Sequence, residues 1–290
     1  MKPLRLKKRA ALVLMWSVLT VPGAWAQEQT GATADDPSEQ TAKAEPAAAD
    51  EAAELAKKLN NPIASLISVP LKYSWDTGID PGDRDRSTYI VQPVIPFELN
   101  AEWNLITRTI VPYVDAEAPA GTSNASGTGD ILQSFFFSPK APTASGWIWG
   151  AGPVFSYPSA SNDLLGSEKW SAGPTAILLK QVNGWTYGVL ANHLWSFSGE
   201  DDRADVNATF LQPFLSFTTR KQTTWGVNSE STYDWEAEDA TVPLNLQVSQ
   251  LLRFGKQPIS LALTYRHFLD TPEGGPDWGL SFTVTLLYPK

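Results

Sequence analysis

Beyond Asn61, apolar and polar residues alternate with a period of two through most of the chain. In "SLISVPLKYSW", Ile67, Val69, Leu71, Tyr73 and Trp75 share one face, and Ser68, Lys72 and Ser74 share the other. "WGVNSESTYDW" sets Trp225, Val227, Tyr233 and Trp235 against Asn228, Glu230, Thr232 and Asp234. "WGLSFTVTLLY" sets Trp278, Leu280, Phe282, Val284, Leu286 and Tyr288 against Gly279, Ser281, Thr283 and Thr285. Such alternation belongs to strands, because successive side chains of an extended backbone point to opposite sides. The pattern predicts roughly twelve strands, over 65–75, 87–98, 102–114, 129–139, 146–157, 169–181, 184–197, 208–220, 223–235, 243–254, 258–269 and 277–288. Each matches or slightly exceeds the roughly 9–11 residues that a tilted strand needs to cross a bilayer.

The connections sort into two sets that alternate along the chain. "LNA", "KAPTAS", "VN", "KQ" and "GKQ" are short. "DTGIDPGDRDR", the run 116–127, "SASNDLLGSE", "SGEDDRADV", "EAEDATV" and "DTPEGGPD" are long, and rich in Asp and Glu. Short turns at one end and long loops at the other predict an all-β fold: a single antiparallel transmembrane barrel of about 12 strands, with periplasmic turns and extracellular loops. Acidic outer loops suit divalent cations at a lipopolysaccharide surface, so outer-membrane lipid and lipopolysaccharide are the expected surroundings.

Tryptophan placement agrees with this. Trp75, Trp103, Trp147, Trp149, Trp170, Trp185, Trp195, Trp225, Trp235 and Trp278 all fall at or near predicted strand ends, as two aromatic girdles at headgroup depth require. Prolines do not fit so easily. Pro70, Pro93, Pro96, Pro112, Pro153, Pro174 and Pro213 lie within predicted strands, and each removes a ladder donor. Either bulges occur at these positions or some strands are shorter than the pattern suggests.

The N-terminus reads differently. Lys2, Arg5, Lys7, Lys8 and Arg9 precede the apolar run "AALVLMWSVLTV" and an A-x-A site ending at Ala26, which predicts a secretory signal over 1–26. Residues 27–60 are rich in Ala, Glu, Asp and Gln and lack aromatics, which predicts a solvated periplasmic tail. Within it, "DEAAELAKKL" (Asp50 to Leu59) can form a short helix, with acids early and lysines late. The barrel is then expected over 61–290.

Composition excludes several function classes. The chain has no cysteine and only two histidines, and its formal charge is −9. Thiolate metal sites and disulfides are thereby ruled out, and the acidic balance argues against a nucleic-acid partner. His193 and His267 stand apart from any H-E-x-x-H or G-x-S-x-G motif, so neither a catalytic site, a metal nor a cofactor is expected. In "NGWTYGVLANHLWSF", Leu190 and Leu194 alternate with the aromatic residues. Aromatic parity puts His193 outward and Asn192 inward, and the leucines leave the assignment open.

A charge on the lipid face costs roughly 2–4 kcal/mol at the midplane, so charges within strands belong inside. That places Lys72, Gln92, Asn104, Arg108, Asn228, Glu230, Asp234 and Arg266 along the lumen, with Arg253 and Asp130 on strands that alternate poorly. The set reads equally as a selectivity element and as charges that compensate one another and fill the barrel.

Four segments in order, "GDILQSFFFSPK", "KWSAGPTAILLKQ", "GWTYGVLANHLWSF" and "FLQPFLSFTT", together with the opening "NPIASLISVPLKYSW", carry a resemblance. They resemble a family of outer-membrane transporters named for the MetA pathway of phenol degradation, sometimes mislabelled neuromedin U. The resemblance runs from about Asn61 onward and implies a barrel admitting small hydrophobic or aromatic compounds, with no catalytic residue. His193 stands where that family's pattern has Gln. "DWGLSFTV" near the C-terminus also fits the signal by which barrel-assembly machinery reads a last strand. The expected function is passive uptake of a small molecule whose identity the sequence does not give. The alternatives are a structural barrel or anchor with a periplasmic partner, and an outer-membrane hydrolase using His267 or His193.

Overall fold

Twelve strands hydrogen-bond to their neighbours in sequence, and the last pairs with the first, so the sheet closes on itself. The computed structural model describes residues 50–117 and 124–289. The signal segment and residues 27–49 of the expected tail lie outside them. The strands are β1 (Ile67–Ile79), β2 (Arg84–Val91 and Val94–Glu98), β3 (Trp103–Ala116), β4 (Ala125–Thr128 and Ile131–Pro139), β5 (Trp147–Tyr157) and β6 (Lys169–Val182). They continue as β7 (Trp185–Gly199), β8 (Asn207–Thr218), β9 (Thr223–Asn228 and Ser231–Asp234), β10 (Asp239–Phe254), β11 (Gln257–Asp270) and β12 (Trp278–Tyr288). All pairings are antiparallel. A helix, α1, spans residues 50–59 ahead of the barrel.

Three strands are interrupted, and prolines account for each interruption. In β2 the break is at Pro93 itself, which has no N–H; Gln92 N–H turns to the Pro70 carbonyl at 2.9 Å, and Thr109 N–H reaches the Pro93 carbonyl at 3.1 Å. In β4 the break faces Pro112, whose carbonyl takes the Gly129 N–H at 3.0 Å. The β3–β4 register slips by one residue there, which is a bulge. In β9 the gap at Ser229 and Glu230 has a proline on either side. The register sets Ser229 opposite Pro213 of β8 and Glu230 opposite Pro243 of β10. Ser229 fills in with N–H to the Pro213 carbonyl at 3.2 Å and Oγ to the Pro243 carbonyl at 2.7 Å. Pro153 and Pro174 face each other across β5 and β6.

The connections are less sharply sorted than the pattern predicts. β1 and β2 run on through most of "DTGIDPGDRDR", leaving only 80–83 between them, and β10 starts early enough to leave only 235–238 after β9. The turn 140–146 at the opposite end is longer than either. Alternation in loop length is therefore partial, because neighbouring strands go on pairing into segments that read as loops in the sequence. Asn183 and Gly184 both have positive φ, 50° and 82°, which is the two-residue turn that matches strand twist.

Large apolar side chains such as Leu71, Tyr89, Leu178, Leu211, Leu246, Leu263 and Phe282 stand exposed around the outer wall. Contiguous exposure of this extent is unsustainable in water and suits a lipid contact. The ten tryptophans at strand ends share this outward parity. Trp103, Trp147, Trp149, Trp185 and Trp225 lie toward the end that carries α1, and Trp75, Trp170, Trp195, Trp235 and Trp278 toward the other. Trp75 meets Trp278 edge-on at 5.3 Å, and Trp103 meets Trp149 at 5.8 Å.

Between Ala172↔Trp195 and Thr175↔Asn192 the β6–β7 ladder is open, and a Cβ added at Gly173 would overlap the His193 carbonyl oxygen. Gly173→Ala is expected to lower stability by about 1–3 kcal/mol. Gly226→Ala, whose Cβ would meet Ser216 at an ordinary 3.6 Å, should change little. The urea midpoint for loss of the fast-migrating folded band on gels checks both.

Candidate functional site

Inward parity gives each strand its luminal residues, and α1 with the segment after it adds more from below. The segment 60–66 enters the barrel at the mouth bearing α1, which the chain's first and last strand ends share. Asn60 Nδ2 donates to Thr218 Oγ1 at 3.1 Å, and Asn104 Nδ2 donates to Ser65 Oγ at 2.8 Å. Ile63, 4% exposed, packs among Val94, Ile106, Phe136, Ile177, Leu179 and Leu190. Leu55 and Leu59 of α1 pack with Leu66, Leu251 and Leu287. Glu51 pairs with Arg253 at 2.8 Å, and Gln181 Nε2 donates to the Lys57 carbonyl at 2.9 Å.

One luminal wall is thus apolar, contrary to the expectation of a polar interior throughout. It comes from β3 to β8 together with Val94 of β2, and runs such as "ILQSFFF" and "TAILLK" carry apolar residues on both parities, so alternation gives no warning. The opposite wall, from β9 round to β3, carries the charges.

Beside the inserted segment, which itself lines it through Asn60, Asn61, Pro62, Ala64 and Leu66, lies a cavity of about 310 Å³. Six of the eight residues expected in the lumen line it: Lys72, Gln92, Arg108, Asn228, Glu230 and Arg266. The other two are elsewhere. Asn104 is buried lower down against Ser65. Asp234 sits at the outer rim, where its carboxylate accepts the Glu236 and Ala237 N–H groups. Arg253 is at the lower mouth with Glu51, and Asp130 holds the 158–168 loop through the Ser159, Ala160 and Ser167 N–H groups. Both therefore act outside the cavity.

Lys72 Nζ meets Glu230 Oε2 at 3.3 Å. Because β1 and β9 are not neighbours in the sheet, this pair is a chord across the lumen rather than a rung along its wall. A second cluster centres on Asp76, 2% exposed, which accepts from Arg266 Nη1 at 2.7 Å and Arg86 Nη2 at 3.3 Å. The register explains how Arg266 reaches it. Arg266 and Asp76 both flank Gly279 of β12, and a Cβ there would overlap Asp76 Oδ1. Sequence reading left Asp76 and Arg86 in a loop; extending the Ser68, Lys72, Ser74 parity by one step would have found Asp76. At the outer rim, Lys169 reaches Asp205 of the 200–206 loop at 3.3 Å. Hydrogen bonds from Lys169 and Ser196 hold the Asp205 carboxyl below its ordinary range.

His193 faces outward, and Asn192 pairs inward with Phe210 and Thr175. The imidazole lies against Trp195, ring centroids 3.9 Å apart and planes tilted by 48°, and its Nδ1 lies 2.7 Å from Thr209 Oγ1, which accepts the Trp235 indole N–H at 2.9 Å. These contacts form a polar clasp between the outward-facing Trp195 and Trp235. His267 is also outward, between Leu244 and Trp278 in the register.

A closed twelve-stranded antiparallel barrel with a lipid-facing apolar belt defines a transmembrane β-barrel protein of the bacterial outer membrane. No protein-family model matches the chain, and no curated protein matches it in sequence. Among solved structures it is similar to the COG4313 outer membrane channel from Pseudomonas putida F1, with a TM-score of 0.62 and 14% identity over 77% of this chain and 96% of that one. A fainter likeness, TM-score 0.47 and 10% identity over 77% and 90%, is to outer membrane phospholipase A from Escherichia coli. At such identities the likeness is one of fold.

Removing one partner of a buried ion pair strands the other charge, at a cost of roughly 3–5 kcal/mol. Asp76→Asn is expected to destabilise the barrel by about 3 kcal/mol. Lys140→Ala breaks the rim pair with Glu98, 73% exposed, and should cost no more than about 1 kcal/mol. Urea unfolding followed by tryptophan emission distinguishes the two.

Proposed function

We propose that the chain is an outer-membrane channel for passive uptake of small molecules, hydrophobic or aromatic ones among them. The observation that carries this reading is the cavity of about 310 Å³ inside a closed barrel, with an apolar wall on one side and fixed charges on the other. A barrel serving only as an anchor gains nothing from a space of this size, since close packing of its interior would be more stable. The fold likeness to a protein described as an outer membrane channel supports the same reading, as does the resemblance to the transporters named for the MetA pathway. Cleavage after Ala26 and a periplasmic start to the mature chain belong to the same proposal, because they put α1 at the periplasmic mouth.

In this reading residues 60–66 set the bore. Purified protein in planar bilayers is expected to give small, discrete conductance steps. Ile63→Asn, which undermines the segment's apolar anchor, should raise the step severalfold. Silence under all voltages, with no solute flux into liposomes, would overturn the channel.

A further inference from the structure

We infer that the luminal cavity is a binding site for a small organic monoanion, a carboxylate carried on an apolar body. The inference deepens the channel reading and relies on it only for how the ligand arrives. Four cationic side chains line the cavity, Lys58, Lys72, Arg108 and Arg266, against a single carboxylate, Glu230. Glu230 is engaged by Lys72, and Arg266 by Asp76, which lies behind the lining. Among the described residues, neither Arg108 nor Lys58 forms an ion pair. The cavity wall therefore carries uncompensated positive charge within a chain whose formal charge is −9.

Arg108 marks the place. Among the described residues its hydrogen-bond contact is Gln92 Oε1, 3.5 Å from Nη2 and at the limit of a hydrogen bond, and its Nε is buried without a partner. Arg266 Nε is likewise buried and unpartnered. Buried guanidinium donors are costly to leave unmet, and a carboxylate meets them with two parallel bonds. An isolated inorganic ion would leave the rest of the wall unused. Val94 and Leu190, which belong to the apolar cluster, also face this cavity, with Pro70, Ala64 and Ala262. The juxtaposition of a guanidinium that forms no ion pair among the described residues with an apolar wall selects an anionic head on an apolar body, and Glu230 disfavours a second negative charge.

Sodium benzoate, with benzyl alcohol as its neutral counterpart, tests this on the full chain folded in detergent. Calorimetry is expected to show saturable benzoate binding and at least tenfold weaker binding of benzyl alcohol. Arg108→Gln should weaken benzoate at least tenfold. Arg108→Lys, which keeps the charge, should retain most of the affinity, and Lys140→Gln at the periplasmic rim should change nothing. Lys58→Gln, on the exposed helix, gives a second reading if Arg108→Gln loses the folded band; it should weaken benzoate and not the alcohol. In bilayers under a salt gradient the reversal potential should report anion preference, reduced in Arg108→Gln. Equal affinity for acid and alcohol, benzoate binding indifferent to Arg108→Gln in folded protein, or a cation-preferring pore would each overturn the site. Benzoate binding that depends on Arg108 in a protein that never conducts would sustain the site and overturn the channel instead.

Discussion

A backbone in hydrocarbon has no water to bond with, so every N–H and C=O within the membrane has to find its partner inside the protein. In this chain the pairing of β12 with β1 meets that demand, because it removes the two edges that an open sheet would expose to lipid. The pairing runs from Ile67↔Tyr288 to Thr77↔Trp278, nearly the whole length of both strands. Gly279 sits within it, on the inward face between Asp76 and Arg266. The same missing side chain lets the ion pair form across the seam, so barrel closure and the buried charge cluster depend on one small residue.

The same constraint explains how the barrel tolerates its prolines. A proline costs one donor wherever it stands, and a lipid-facing ladder cannot leave the matching carbonyl unmet. Three strands break at or opposite a proline, and at each break a neighbouring N–H or hydroxyl takes over a carbonyl: Gln92 to Pro70, Gly129 to Pro112, Ser229 to both Pro213 and Pro243. The two alternatives that the sequence left open, bulges or shorter strands, turn out to apply at different sites. At β4 the register slips, whereas at β9 it continues unbroken on the far side of the gap.

How far the sequence could be read follows from which signals are local. Strand number and the Asn183-Gly184 turn depend on period two or on a dipeptide, and both were legible; period two also put Lys72, Gln92, Arg108, Asn228, Glu230 and Arg266 on the face that lines the cavity. Asp76 was missed because its segment carries Gly, Pro and acids that look like a loop, although β1 continues through it to Ile79. The apolar luminal wall was missed for a deeper reason. On "TAILLK" both parities are apolar, and only the pairing of Ile177 with Leu190 and of Leu179 with Gly188 shows which residues face in. The docking of Ile63 against that wall was equally hidden, since nothing within residues 60–66 announces that they enter a barrel formed by later sequence.

That apolar wall also limits what can occupy the lumen. Apolar surface left to water costs roughly 25 cal/mol per Å², so Val94, Ile106, Phe136, Ile177 and Leu190 favour an apolar occupant over an aqueous pore. Ile63 is that occupant in this structure. A solute that displaces the segment has to offer differential affinity for the vacated wall, which a hydrated ion cannot do and an apolar body can. The charges opposite act in the other sense: a purely apolar solute leaves the Arg108 and Arg266 donors unmet. In the proposed channel the two walls would select jointly, since neither wall alone would distinguish an amphipathic solute from a wholly polar or a wholly apolar one.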